Sequence, residues 1–136
     1  MAKKKIIKIV GYISHDVAEQ YNLYEYENKE IVQALDFYKH SHKHIDEFES
    51  IDNYNNSVLN IEKILSEPSF VYYDNDKNSL RYFKEIDENV CVIVKLNLRK
   101  NKDTYVATIY PVSKYKMQKF KDKALLEKYR YKENVC

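Results

Sequence analysis

The sequence predicts an α+β domain in which an N-terminal strand and helices pack on a four-stranded antiparallel sheet, closed by a C-terminal amphipathic helix. Three observations carry that expectation. Apolar residues recur at spacings of three and four through residues 30–65, alternate with period two through residues 70–110, and return to a helical stripe from Lys114 onward. A chain of 136 residues that is 44% apolar can fill one core but hardly two, so residues 1–136 read as a single domain.

Residues 1–13 join lysines to Ile6, Ile7, Ile9 and Val10. Lys8 interrupts this run, which is too short for a secretion signal or a membrane span, and it reads as a first strand. Residues 22–30, with Tyr24 and Tyr26, follow no clear period and read as loop or edge strand. From Glu30 to Phe48 the positions of Ile31, Leu35, Tyr38, Ile45 and Phe48 favour helical turns leading through a histidine cluster. Val58, Ile61 and Leu65 repeat the pattern in a second helix over residues 57–65. Pro68 ends it, because proline disfavours helical geometry in the residue before it.

After Pro68 the period changes. Four strands are expected at residues 70–73, 80–86, 90–98 and 104–110, separated by turn-rich stretches at 74–78, 87–89 and 100–103. A four-residue loop at 100–103 pairs Arg99 with Thr104 and aligns Lys95 with Thr108. One face then carries Val94, Leu96, Leu98, Tyr105, Ala107 and Ile109. The other carries Lys95, Asn97, Arg99, Thr104, Thr108 and Tyr110, with Val106 among them, and forms a polar platform suited to a site. Residues 114–131 place Met117, Phe120, Ala124 and Tyr131 on one stripe and nearly all lysines elsewhere, as a helix on a sheet edge or face does.

Composition narrows the chemistry. Gly11 is the single glycine, so glycine-rich phosphate loops are excluded. Cys91 and Cys136 lie far apart, which argues against a disulfide framework and for a reducing compartment, the cytoplasm by default. The net charge of +2 hides a polarity along the chain: residues 46–88 hold eleven acids against four bases, and residues 95–132 hold twelve bases against three acids. A basic C-terminal third suits an anionic partner such as RNA, and tyrosines offer stacking surfaces for its bases.

The segment Lys39-His-Ser-His-Lys-His44 holds three of the four histidines. On a helix His40 and His44 share a face with Asp36 and Glu47. Such a pair suits either a zinc site, for which spacing fixes no third strong ligand, or proton transfer near neutral pH. Thr108 and Tyr110 lie on one strand face. Lys84 is a cation able to steady charge on a phosphate, but its face depends on the turn before Val90. A three-residue loop puts it on the apolar side with Leu80 and Tyr82, and a two-residue loop puts it beside Thr108.

The order of these features resembles the phage-type members of the superfamily that groups barnase, EndoU, colicin E5/D and RelE nucleases. The resemblance runs from about Lys5 to Lys123. It rests on the opening strand Ile7-Lys-Ile-Val-Gly-Tyr-Ile13, the paired histidines followed by Ile45-Asp-Glu-Phe48, and the helix and strand Ile61-Glu-Lys-Ile-Leu-Ser-Glu-Pro-Ser-Phe-Val-Tyr72. It continues through Tyr82-Phe-Lys84, the apolar strand from Val90 and Tyr105-Val-Ala-Thr-Ile-Tyr-Pro111. Two features depart from the pattern: His42 stands between the paired histidines, and Ser69 takes the place of the usual aspartate after the proline.

The resemblance implies an endoribonuclease of phage or mobile-element origin, with no metal or other cofactor, cleaving RNA by attack of the 2′-hydroxyl. His40 or His44, Lys84, Thr108 and Tyr110 would line its site. Lys95, Arg99, Lys114 and Lys116 are its candidate RNA contacts, an inhibitor or antitoxin protein is a possible partner, and no membrane is involved. The alternative is a non-catalytic RNA- or protein-binding module on the same scaffold, since function does not follow from fold.

Overall fold

A computed structural model describes residues 6–97 and 103–133, with side chains over residues 8–97 and 103–126. The elements are β1 (Ile6–Tyr12), α1 (His15–Tyr21), β2 (Glu30–Ala34), α2 (Asp36–Ser41), α3 (Ile51–Leu59), α4 (Ile61–Ser66), β3 (Phe70–Asp74), β4 (Ser79–Glu85), β5 (Asn89–Lys95), β6 (Thr104–Pro111) and α5 (Lys114–Glu133). Short 3-10 turns occupy Tyr24–Tyr26 and His42–Glu47. Among the described residues no helix is long and apolar enough to cross a membrane.

The expected antiparallel meander is present as β3-β4-β5-β6, but the sheet is larger than four strands. Six strands lie in the order β1-β2-β6-β5-β4-β3, and the sheet is mixed because β2 runs parallel to β6. The residues read as the start of a helix, Ile31 onward, are this parallel strand. Ile31, Val32, Gln33 and Ala34 are all buried, so the alternation that marks a half-exposed strand is erased, as it is in parallel strands covered on both faces. The expected helix over residues 57–65 is instead divided between α3 and α4. Asn60 separates them: its side-chain amide donates to the Asn56 carbonyl at 2.7 Å and competes with the helical ladder.

Local chemistry sets the ends of several elements. Ser14 caps α1 by accepting from the Val17 amide at 3.2 Å, and Asn22 closes it in the left-handed conformation with φ of 55°. Ser113 caps α5 by accepting from the Lys116 amide at 3.2 Å. Pro68 lies just past the end of α4, as expected.

The main core lies on one sheet face. Ile61, Ile64 and Leu65 of α4, Val17 and Tyr21 of α1, and Phe37, Phe48 and Tyr54 pack against Val71, Leu80, Tyr82, Val92, Val94, Val106 and Ile109 of the sheet. Full burial of a side chain such as Ile64 contributes about 1.5–3 kcal/mol before the entropy of ordering is counted. The other face carries a smaller cluster in which Met117 and Phe120 of α5 meet Phe70, Tyr72, Phe83, Cys91, Tyr110 and Val112. The C-terminal helix therefore docks on a sheet face, with Met117 and Phe120 inward as their spacing predicts; Tyr131 lies beyond the described side chains.

The last hairpin departs from the expected register. Ile93, not Lys95, stands opposite Thr108, and Lys95 stands opposite Tyr105. Strand β5 ends at Lys95, and the backbone amide of Asn97 bonds the Thr104 hydroxyl at 3.1 Å, so the strands part sooner than a four-residue loop requires. A bulge also falls between the pairs Ile93–Thr108 and Val94–Val106, which leaves Ala107 as the extra residue on β6. The bulge turns Val106 as well as Ile109 into the core, and Val106 is not part of a polar platform. Leu98 and Arg99 lie outside the described residues.

Candidate active site

Parallel pairing of β2 with β6 extends only over Ile31–Thr104 and Val32–Tyr105. Beyond it, α2 and the following 3-10 turn pack against the remainder of β6. This detour carries the histidines to the sheet. At His42 the winding changes from α to 3-10, about 120° per residue instead of about 100°, which widens the angle between His40 and His44 from about 40° to about 80°. The His40 side chain is 54% exposed and lies 4.0 Å from Asp36. His44 instead packs on Tyr110, with ring centroids 5.7 Å apart, and its Nδ1 is hydrogen-bonded to the Glu47 carboxylate.

Two rows of side chains cross the face under α5. Tyr72, Arg81, Ile93 and Thr108 form one row over β3, β4, β5 and β6, and Phe70, Phe83, Cys91 and Tyr110 form the next. Arg81 Nη1 donates to the Tyr110 hydroxyl at 2.6 Å, and Nη2 lies 3.4 Å from the Asp74 carboxylate. Arg81 Nε and the Thr108 hydroxyl are buried and have no hydrogen-bond partner among the described residues. Burial raises the Tyr110 phenol well above its ordinary range, with neighbouring Cys91 acting in the same direction and Arg81 opposing it. Burial likewise pushes the Cys91 thiol up to about 12. Tyr110 is therefore held as a protonated donor, and Arg81 is a fixed cation beside it.

The sequence-derived candidates divide on this geometry. His44, Tyr110 and Thr108 come to one region of β6, while His40 stays on the outer side of α2. Lys84 has the opposite parity to Arg81 along β4 and donates to the Glu67 carbonyl at 2.5 Å, on the other side of the sheet. The turn before Val90 has three residues but lies at 86–88, one residue earlier than the expected 87–89, so Lys84 rather than Ile86 stands opposite Val90; the parity is the same, and Lys84 lies on the side of Leu80 and Tyr82. The same parity brings Arg81 to the Thr108 face, and that inference was open to the sequence once the turn was assigned. Glu47 and Asp74, which hold His44 and Arg81, carry no such signal.

Lys95 is half-buried, and Lys114 and Lys116 are exposed at the start of α5; Arg99 lies outside the described residues. An open cleft of about 550 Å³ is lined by Glu47, Glu49, Glu85, Asp87, Glu88, Asn89 and residues 111–114. Its five acidic residues make it an unfavourable environment for a phosphate. Among the described residues no group of three or more His, Cys, Asp or Glu side chains is arranged to hold a metal ion.

This arrangement offers a histidine with a carboxylate partner, a protonated phenol and a guanidinium, the set of groups that proton transfer and charge stabilisation at a phosphodiester require. No curated protein and no solved structure matches the chain. One family model does, over residues 7–119, a span that takes in the six strands, the histidine segment, Arg81 and Tyr110. On that match the chain belongs to the phage-Barnase-EndoU-ColicinE5/D-RelE like nuclease 3 family.

Proposed function

We propose that the protein is a metal-independent endoribonuclease, of phage or mobile-element origin, that cleaves RNA by transesterification. The observation that carries this reading is the meeting of His44, Tyr110 and Arg81: a ring contact of 5.7 Å and a hydrogen bond of 2.6 Å join three groups from three separate elements. Membership of a nuclease family supports it.

In this reading the RNA 2′-oxygen forms a bond to phosphorus and the bond from phosphorus to the 5′-oxygen breaks. Neutral His44, oriented by Glu47, takes the proton from the 2′-hydroxyl. Tyr110 gives its proton to the departing 5′-oxygen and recovers one from the His44 imidazolium packed against its ring, while Arg81 stabilises the charge that builds on the pentacoordinate phosphate. The Thr108 hydroxyl supplies a further donor on the same face. Arg81 takes the phosphate role first given to Lys84, because only Arg81 shares a sheet face with Tyr110. Lys114 and Lys116 contribute phosphate contacts along the approach.

The test is incubation of the purified protein with end-labelled total RNA in excess EDTA, followed by analysis of the fragment ends. Fragments ending in 2′,3′-cyclic phosphate, lost in His44→Gln, are the expected result. Salt-sensitive RNA binding without cleavage would instead identify a non-catalytic module on this scaffold. Equal cleavage by His44→Gln would remove the histidine from the mechanism.

A further inference from the structure

Helix α5 covers the face that carries Arg81, Thr108 and Tyr110, and the Phe120 ring fills a slot in it. Its centroid stands 5.4 Å from that of Tyr72 and 5.3 Å from that of Phe83, with the Phe83 ring inclined at 30°. The far side of Phe83 is backed by Phe70, stacked at 4.5 Å. Two cations attend the same ring: the Arg81 guanidinium carbon and Lys123 Nζ each lie 5.5 Å from its centroid. Next to this slot are buried polar atoms without partners among the described residues, Arg81 Nε in the wall and the Thr108 hydroxyl further along the same row. Native proteins seldom leave such groups unpaired.

A flat π system held between aromatic rings, with guanidinium and ammonium groups beside it and an unpaired guanidinium N–H at its edge, is the environment in which single-stranded nucleic acids are bound. We propose that the Phe120 slot is a base-binding subsite for the nucleotide next to the scissile phosphate of single-stranded RNA, and that Phe120 is a stand-in which the base displaces. The proposal rests on the reading of Arg81 and Tyr110 as part of the cleavage site, because Arg81 borders both. The exchange replaces one aromatic ring by another and gives Arg81 Nε an acceptor. Lys116, Lys119 and Lys123, exposed along α5, are placed to follow the attached phosphates.

The test uses the full chain and a fluorescein-labelled 2′-deoxy hexanucleotide, which lacks the 2′-hydroxyl and is bound but not cleaved. Phe120→Ala empties the slot and is expected to bind this probe at least about five-fold more tightly than the parent, the lower end of what one stacked base contributes. An abasic oligomer of the same length should gain nothing. Equal affinity of variant and parent, equal gains for the two probes, or no binding by Phe120→Ala would each overturn the proposal.

The chain contains no tryptophan, so Phe120→Trp supplies a unique reporter that preserves an aromatic ring in the slot should the alanine variant fail to fold. Its emission should shift to the red when unlabelled hexanucleotide saturates the protein, as the indole leaves the sheet. Saturation with unchanged emission, or no binding, would refute displacement. The two readings fail separately: cleavage in EDTA without a Phe120→Ala binding gain removes the slot alone, and a binding gain without cleavage removes the nuclease reading alone.

Discussion

Substituting Arg81 and Lys84 separately by methionine distinguishes the two faces of β4 by their effect on cleavage. Arg81 is tied to Tyr110 at 2.6 Å and to Asp74 at 3.4 Å, and lies beside the Phe120 ring. Methionine keeps most of the aliphatic packing and removes a charge-assisted hydrogen bond worth about 1.5–3 kcal/mol. Asp74 retains the Lys77 amide at 3.3 Å, so the stability loss should be about 2 kcal/mol, near the middle of that range. A domain of ordinary stability, about 5–15 kcal/mol, remains almost wholly folded after such a loss. Removal of a preorganised cation from the developing phosphate charge costs far more in rate, about 100- to 1000-fold. Lys84 makes one exposed bond to the Glu67 carbonyl. Its replacement should cost under about 1 kcal/mol and leave the rate within about two-fold. Single-turnover cleavage of end-labelled RNA in EDTA gives the rates, and urea unfolding gives the stabilities. A rate loss in Lys84→Met as large as that in Arg81→Met would refute the assignment of the phosphate to the face beneath α5.

The histidines separate in the same assay: His44→Gln should lose about 100-fold or more, the usual contribution of a general base, and His40→Gln should stay near the parent rate. Tyr82→Phe should raise stability by about 1 kcal/mol, because the Tyr82 hydroxyl is buried without a partner among the described residues; a urea midpoint no higher than the parent's would show that it is satisfied in solution. His15 lies 2.7 Å from Glu27 and 3.0 Å from Glu19, and the Glu27 hydrogen bond is the chief cause holding its pKa above the ordinary 6.5. Its contribution to stability is fully present below the unfolded pKa, provided the glutamates are ionised, and is lost as pH rises through the folded one. The difference in urea midpoint between parent and His15→Gln should accordingly be present at about pH 6 and absent by about pH 9.

The meander was legible in the sequence because each strand is bounded by turn residues and one face of it meets a well-defined core. Its register was not, since loop length alone carried that inference, and neither the early parting of β5 and β6 nor the bulge at Ala107 has a mark in the sequence. Strand β2 was hidden for a different reason. Burial on both sides removes the period of two, and Ile31 and Leu35 then imitate a helical i, i+4 pair although Leu35 is exposed. Thr108 and Tyr110 were recognisable as neighbours because strand alternation fixes nearest positions. The Lys84 face depended on a turn of two or three residues, and one residue exchanged it for Arg81. His44 was separable from His40 only through the 3-10 turn, which no composition rule distinguishes from a continued helix.

The location of the candidate site follows from where the sheet changes character. Arg81 and Tyr110 belong to the antiparallel meander, whose contacts are local hairpins, and His44 reaches them because β2 stops pairing after Val32 and leaves the distal part of β6 to α2 and the 3-10 turn. The cation and phenol are thus assembled by local pairing, while the histidine arrives only with the parallel β2–β6 contact, a non-local pairing that closes a long loop. The same β6 strand then leads through Pro111 and Val112 into α5, whose Phe120 returns to cover Arg81. One strand consequently meets His44 along its distal part, carries Thr108 and Tyr110 in its register, and leads into the helix whose Phe120 lies beside Arg81. On the proposed reading the folded chain already holds these groups together, and access to Arg81 would need the exchange of one aromatic ring, Phe120, rather than rearrangement of the sheet.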